Sequence, residues 1–271
     1  MSLRPILFFL ILFVFFASRC NNDKSVLNTK KSNVPNISFT FVNSFPHDTN
    51  SFTEGFLIYK GELYESTGAT ESLPQTKSLF GIVDSITGKI NVKVILDSEK
   101  YFGEGITFLN GKVYQLTYKT KIGFIYDATT FKKIGQFVFP GEEGWGLTTD
   151  GTNLIMSNGT NVLTVLDPIN LQTIKTISVS EDGFALDNLN ELEFINNFIY
   201  ANVWQTNFIV KIDPISGKVL GKLDLTQFAE ESKRIFPGSL EMNGIAFDSV
   251  SNKIYVTGKL WPKIYQFKFN Y

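Results

Sequence analysis

Phe102-Gly103-Glu104-Gly105-Ile106-Thr107 sets one carboxylate between two glycines at the start of a strand-like run. Glycine lets one backbone approach another closely, so the pair presents Glu104 at a crowded place. Alone, such a segment reads as a turn with a solvated Glu. It returns along the chain in altered form, as Phe52-Thr-Glu-Gly-Phe-Leu57, Glu143-Gly-Trp-Gly-Leu-Thr148, Asn190-Glu-Leu-Glu-Phe-Ile195 and Glu241-Met-Asn-Gly-Ile-Ala246. Anchored on Gly55, Gly105, Gly146, Glu193 and Gly244, the spacings are 50, 41, 47 and 51 residues.

Each copy leads into a turn and a second strand, as in Asn110-Gly111 before Lys112-Val113-Tyr114-Gln115. A third strand often ends in an Asp-x-x-(Ser/Thr)-Gly-Lys turn, at Asp84 to Lys89 and at Asp213 to Lys218, and a fourth apolar strand closes the unit. Four short strands in each unit of roughly 40–50 residues is the signature of a β-propeller blade. Five units fit. The last, from Gly244, shows three strands, and Ile37 to Phe45 supplies the missing fourth. The expected fold is all-β, a five-bladed propeller closed by an N-terminal strand that joins the last blade. Such closure removes a free sheet edge. Helical periodicity is confined to a stretch around Leu225 to Ser232.

Before the propeller lies a front end of different composition. Arg4 precedes an unbroken apolar run of eleven residues, Ile6 to Phe16, too short to span a bilayer and suited to an export signal. Ala17-Ser18-Arg19-Cys20 follows, with small residues before the only Cys of the chain. This resembles a bacterial lipobox, with Arg19 a departure from the strict pattern. We therefore read 1–20 as a signal peptide ending at a lipidated Cys20, 21–36 as a flexible polar tether, and 37–271 as the propeller domain. The protein is then exported to the cell envelope, touches membrane only through its lipid, and has no internal disulfide. We read it as a monomer.

Of 271 residues, 43% are hydrophobic and 19% charged, which suits a globular core. Without residues 1–19 there are 23 basic and 26 acidic residues, a net charge of −3, and Arg234 is the one remaining arginine. That surface argues against nucleic acid as a partner.

In a propeller the first strand of each blade lines the central channel. The residues just before the anchors are Glu54, Glu104, Trp145, Leu192 and Asn243, with Asn190 and Glu191 close by. They would gather carboxylates, an indole and an amide at one mouth, the pattern of a binding pocket. His47 is the only histidine and falls in the loop before the first blade, so neither a nitrogen- or sulfur-rich zinc site nor a histidine-based triad is expected. No phosphate-binding fingerprint occurs in its strand-to-helix context. Carboxylate acid–base chemistry, calcium binding through oxygen ligands, and plain recognition stay open.

Nine short motifs, in order from Phe52-Thr-Glu-Gly55 through Tyr64-Glu-Ser-Thr-Gly68, Gln115-Leu-Thr-Tyr-Lys119, Leu189-Asn-Glu-Leu-Glu193 and Asn202-Val-Trp204 to Thr257-Gly-Lys-Leu-Trp-Pro262, resemble the plant and bacterial type of glutaminyl-peptide cyclotransferase. The resemblance runs from about residue 39 to 271. It implies a five-bladed propeller that turns an N-terminal Gln into pyroglutamate with release of ammonia, acting on peptides or proteins and needing no metal or other cofactor. It places Glu104 on the general acid–base carboxylate. Phe52, Phe102, Trp145, Asn190, Trp204 and Lys259 fall on pocket positions, Glu54 where relatives often carry Gln, and Glu65 on a second acidic position. Tyr118 stands where Trp is expected, which alters the pocket's shape more than its chemistry. Two rival readings remain beside the cyclase: a non-catalytic binding propeller in the envelope, and a calcium-dependent, lactonase-like hydrolase.

Overall fold

The structure, a computed structural model, describes residues 32–269. The export segment, Cys20 and residues 21–31 of the tether lie outside them.

Five four-stranded antiparallel sheets follow one another along the chain. The first blade comprises Thr53–Tyr59, Glu62–Thr67, Leu79–Val83 and Ile90–Ile95. The second runs from Gly103–Leu109 to Lys133–Val138, the third from Leu147–Thr149 to Thr173–Ser178, and the fourth from Leu189–Ile195 to Val219–Asp224. The fifth has Met242–Asp248, Lys253–Gly258 and Lys263–Phe269, and its outermost strand is Phe39–Pro46 from the N-terminal side. Closure is thus as the sequence predicts. In the first, second and fourth blades the turn joining innermost to second strand uses paired positive-φ residues, Lys60-Gly61, Asn110-Gly111 and Asn196-Asn197, the geometry that a two-residue hairpin demands.

Alternation along each strand feeds five apolar clusters, one at every interface between neighbouring blades. Leu57 and Phe80 of the first blade meet Ile106, Val113 and Phe124 of the second, and the pattern repeats around the ring. The seam between the fifth and first blades is the poorest, with only Phe56, Val83, Ala246 and Ile264 as its buried apolar members. The one helix among the described residues, Thr226–Ile235, caps the fourth and fifth blades through Phe228.

Two expectations need correction. The flexible tether ends sooner than 36: Ile37 N donates to Lys222 O at 2.7 Å and Lys222 N to Pro35 O at 3.0 Å, adding a short parallel segment to the fourth blade's edge. Ser32 Oγ and Asn33 N also donate to Glu181 and Asp182. An unpaired outer strand offers a row of backbone groups, and residues 32–37 satisfy part of it. The second correction concerns register. Glu193 is not the fourth blade's anchor; Glu191 stands where the other blades have Gly55, Gly105, Gly146 and Gly244, and Asn190 rather than Leu192 is the residue before it.

Candidate active site

The pocket residues are aimed by a repeated irregularity. The innermost strands of the first, second, fourth and fifth blades each slip register at their start, between Thr53 and Gly55, Gly103 and Ile106, Leu189 and Leu192, and Met242 and Ile245. A bulge of this kind bends the strand and redirects a side chain. The redirected residues are Glu54, Glu104, Asn190 and Asn243. Close approach makes the ring of glycines necessary, since a Cβ on Gly105 would lie 2.5 Å from the Leu147 amide. The Glu104 peptide is pinned on both sides: Ser66 Oγ donates to Glu104 O at 2.6 Å and Gly105 N to Trp145 O at 2.8 Å.

Nine of the ten expected site residues line one cavity of about 190 Å³ at the channel mouth. That is below the roughly 300–1,000 Å³ typical of drug-sized ligands, and suits one small polar residue. Phe52, Glu54, Phe102, Glu104, Trp145 and Asn190 come from the heads of innermost strands. Tyr118, Trp204 and Lys259 come from the turns that follow second strands. The walls are aromatic: Phe52 meets Phe102 edge-on at 5.8 Å, Phe102 meets Tyr118 at 5.8 Å, and Trp145 meets Trp204 edge-on at 5.6 Å. Trp145 Nε1 is held by Glu143 at 2.9 Å, a partner the sequence did not single out.

The polar groups divide into a paired set and an unpaired one. Lys259 Nζ lies 2.7 Å from Glu54 Oε1 and 4.5 Å from the Phe52 ring centre, while Asn243 Nδ2 donates to Glu54 Oε2 at 3.0 Å. Glu104 is buried, and its carboxylate has no hydrogen-bond partner among the described residues. Asn190 Oδ1 is likewise buried without one. Such atoms are rare in a finished interior and mark a place for a bound donor.

Burial, and then the Glu54 charge, push the Glu104 carboxyl well above the ordinary carboxylate range. Burial also raises Glu54, to about 7, against the pull of Lys259. Burial alone would lower Lys259, but Glu54 and Glu104 outweigh it and keep the ammonium charged. Two carboxylates and one ammonium thus share the pocket, and both carboxyls hold a proton more readily than exposed ones do.

Glu65 does not belong to this group. It is buried behind the pocket, where it accepts from Thr53 Oγ1 at 2.7 Å and lies 3.1 Å from His47 Nε2. His47 Nδ1 in turn bonds the Trp261 carbonyl at 2.7 Å. The expected pocket acid is a bolt across the closing seam, and the histidine set aside in the pre-blade loop is its partner. Glu191 also stays out of the pocket. It lies in the channel, where its oxygens accept from Phe56 N at 3.2 Å and Ile245 N at 2.8 Å.

Known proteins are similar to this chain in sequence and fold. A profile of the glutamine cyclotransferase family matches residues 11–269. The chain is similar to a glutaminyl-peptide cyclotransferase of Arabidopsis thaliana, 40% identical over 230 residues that cover 84% of this chain and 70% of the plant protein. It also superposes on the crystal structure of Myxococcus xanthus glutaminyl cyclase with a TM-score of 0.75 and 28% identity, over 87% of this chain and 98% of that one. With a profile match spanning nearly the whole chain and a relative of this identity, the chain belongs to the glutamine cyclotransferase family.

Proposed function

We propose that the protein is a glutaminyl-peptide cyclotransferase that closes an N-terminal Gln to pyroglutamate, with Glu104 carrying the proton. The observation that supports this most strongly is the partnerless Glu104 carboxylate, with its raised proton affinity, facing a pocket the size of one residue.

The chemistry asks for two proton movements. A peptide N-terminus has an ordinary pKa of about 7.7–8.0, so it arrives largely as an ammonium. Glu104 takes one proton from it, a transfer that its raised affinity makes easier than to an ordinary carboxylate. The freed amine attacks the side-chain Cδ, the N–C bond forms, and the carbonyl electrons move onto oxygen. Glu104 gives its proton to the departing nitrogen and then takes the second proton from the ring nitrogen; the carbonyl reforms as the old C–N bond breaks, and Glu104 passes that second proton to the released ammonia. Ammonium enters and ammonium leaves, so Glu104 returns to its starting state. Positioned proton transfer of this kind contributes about 10²–10⁴-fold, and a curled, pre-oriented chain supplies more.

The remaining groups position the substrate. Asn190 Oδ1 accepts from the substrate's ammonium or carboxamide. Lys259, fixed by Glu54, brings positive charge toward the oxygen that becomes negative. The Trp145–Trp204 and Phe52–Phe102 walls exclude water from the curled side chain. The deciding experiment incubates the protein with Gln-Ala and Asn-Ala dipeptides, with and without chelator, and follows ammonia. Chelator-insensitive release from Gln-Ala alone supports the reading, and no release from either removes it.

We further propose export and lipidation at Cys20, on the strength of the apolar run from Ile6 to Phe16 and the small residues before Cys20. Incorporation of labelled fatty acid that survives Cys20→Ala would contradict this.

A further inference from the structure

A peptide whose first residue fills a 190 Å³ pocket must lay its next residues on the adjoining surface. Two segments that wall the pocket adjoin residues lining an open groove of about 540 Å³. Trp204 runs directly into Gln205, Thr206 and Asn207, which form one side. On the other, Lys259 N donates to Glu241 O and Leu240 N to Lys259 O, both at 2.9 Å, so the segment ending at Glu241 lies alongside the pocket lysine. The nearness is electrostatic as well, since the Glu241 charge acts on both Glu54 and Lys259.

The outer wall is the helix Thr226–Ile235, which contributes Ala229, Glu230 and Lys233. This helix is held firmly. Lys263 pairs with Glu231 at 2.7 Å, and Ser239 Oγ donates to Ser232 O at 3.2 Å. Lys233 Nζ donates to the Ser239 carbonyl at 2.7 Å, which holds the ammonium in place, so the groove carries two carboxylates against one ammonium. Glu230 and Glu241, by contrast, have no side-chain ion-pair or hydrogen-bond partner among the described residues. The same groove is lined by apolar surface from Ala229 and from Leu240, which is 39% exposed. Two unengaged carboxylates around an aliphatic strip fit a long apolar stem ending in a cation.

We propose that this groove is a substrate subsite that selects Lys or Arg at the second or third position of the peptide. The inference rests on the cyclase reading. The stem lies along Ala229 and Leu240, and the cationic head meets Glu230 and Glu241. An acidic residue at the same position faces two like charges and is disfavoured.

The test measures kcat/KM of the full chain at low salt for Gln-Lys, Gln-Arg, Gln-Ala and Gln-Glu peptides, and for a matched series varied at the third position. At one or both positions, Lys and Arg peptides are expected to exceed the Ala peptide about three- to tenfold, as partly exposed ion pairs allow, with Glu below Ala. Glu230→Lys is expected to bring the Lys-to-Glu ratio to one or below. Raising the salt should also compress it. Glu241→Gln gives a second, milder variant should the first fold poorly. Equal turnover of all peptides, or a ratio unmoved by both variants, overturns the subsite and leaves the cyclase intact. No ammonia from any Gln peptide overturns both.

Discussion

Lys259 Nζ sits 2.7 Å from Glu54 Oε1 at the mouth of the channel, so the pocket's one ammonium is tied to Glu54 and not to Glu104. This division of labour has a consequence for pH. Glu54 repels charge on Glu104 and neutralises the lysine that would otherwise favour it. Glu54→Gln removes both effects, and each change lowers the proton affinity of Glu104. The acid limb of kcat/KM should therefore move to lower pH, by roughly one unit or more. A limb that stays put in Glu54→Gln would separate the two carboxylates.

The aromatic wall makes a different claim. A Cβ on Gly68 would overlap the Phe102 ring, and Gly68 lacks the positive φ that would strain alanine there. Gly68→Ala should leave the fold intact and push the ring into the pocket. KM for a Gln dipeptide is expected to rise by about an order of magnitude, because a 1 Å misplacement costs up to about 10²-fold. Steady-state kinetics beside a thermal melt will show it; unchanged KM with an unchanged melt would mean that Phe102 has room to move.

At the closing seam, apolar contact is thinnest and the buried His47–Glu65 pair bridges it. Burial opposes the charged imidazole, but Glu65 more than offsets it, and His47 titrates above its ordinary value. A raised folded-state value stabilises the fold below the unfolded pKa of about 6.5, and that contribution is lost as pH rises through the folded value. His47→Ala should cost roughly 3–5 kcal/mol by urea unfolding at pH 6, since it leaves Glu65 buried alone. The penalty should shrink at higher pH, where the parent has lost its ion pair. A pH-independent penalty would mean His47 acts by packing alone.

Glu193 tests the channel. Burial raises its carboxyl to about 8, although Phe247 N donates to it at 3.0 Å. The folded protein therefore holds a proton there that the unfolded chain releases near pH 4.5, and stability falls as pH climbs between those values. Glu193→Gln keeps an acceptor for Phe247 and has no charge to bury. Its melting temperature should match the parent near pH 5 and exceed it by a few degrees at pH 9. A variant less stable than the parent at pH 9 would contradict this.

The sequence carried the architecture because a propeller writes its period into the chain. Turn pairs such as Asn110-Gly111 and the Gly-flanked Glu104 recur at blade spacing, and local chemistry sets both. The fourth blade hid its register for a physical reason. Glu191 replaces the anchor glycine, and a second Glu two residues on, at Glu193, offers an equally plausible alignment; only the pairing of Leu189 with Val203 and of Leu192 with Ala201 decides it. Glu65 reads as a pocket acid from sequence because its partner is not local: His47 reaches it only when the N-terminal strand closes the ring. The docking of residues 32–37 on Lys222 has no local signal either, because it joins the N-terminal segment to the fourth blade's edge, far away in sequence. Contacts across the seam depend on closure, and no local pattern encodes them.

Glu104 carries the account, and one substitution reaches it directly. Glu104→Gln preserves shape and removes only the capacity to take and give a proton. Its carboxylate has no partner among the described residues to lose, and burial disfavours its charge, so the variant should melt no lower than the parent. Ammonia release from Gln-Ala should fall by at least about 10²–10⁴-fold at every pH. Turnover within a few-fold of the parent, in a variant that melts normally, would contradict the assignment.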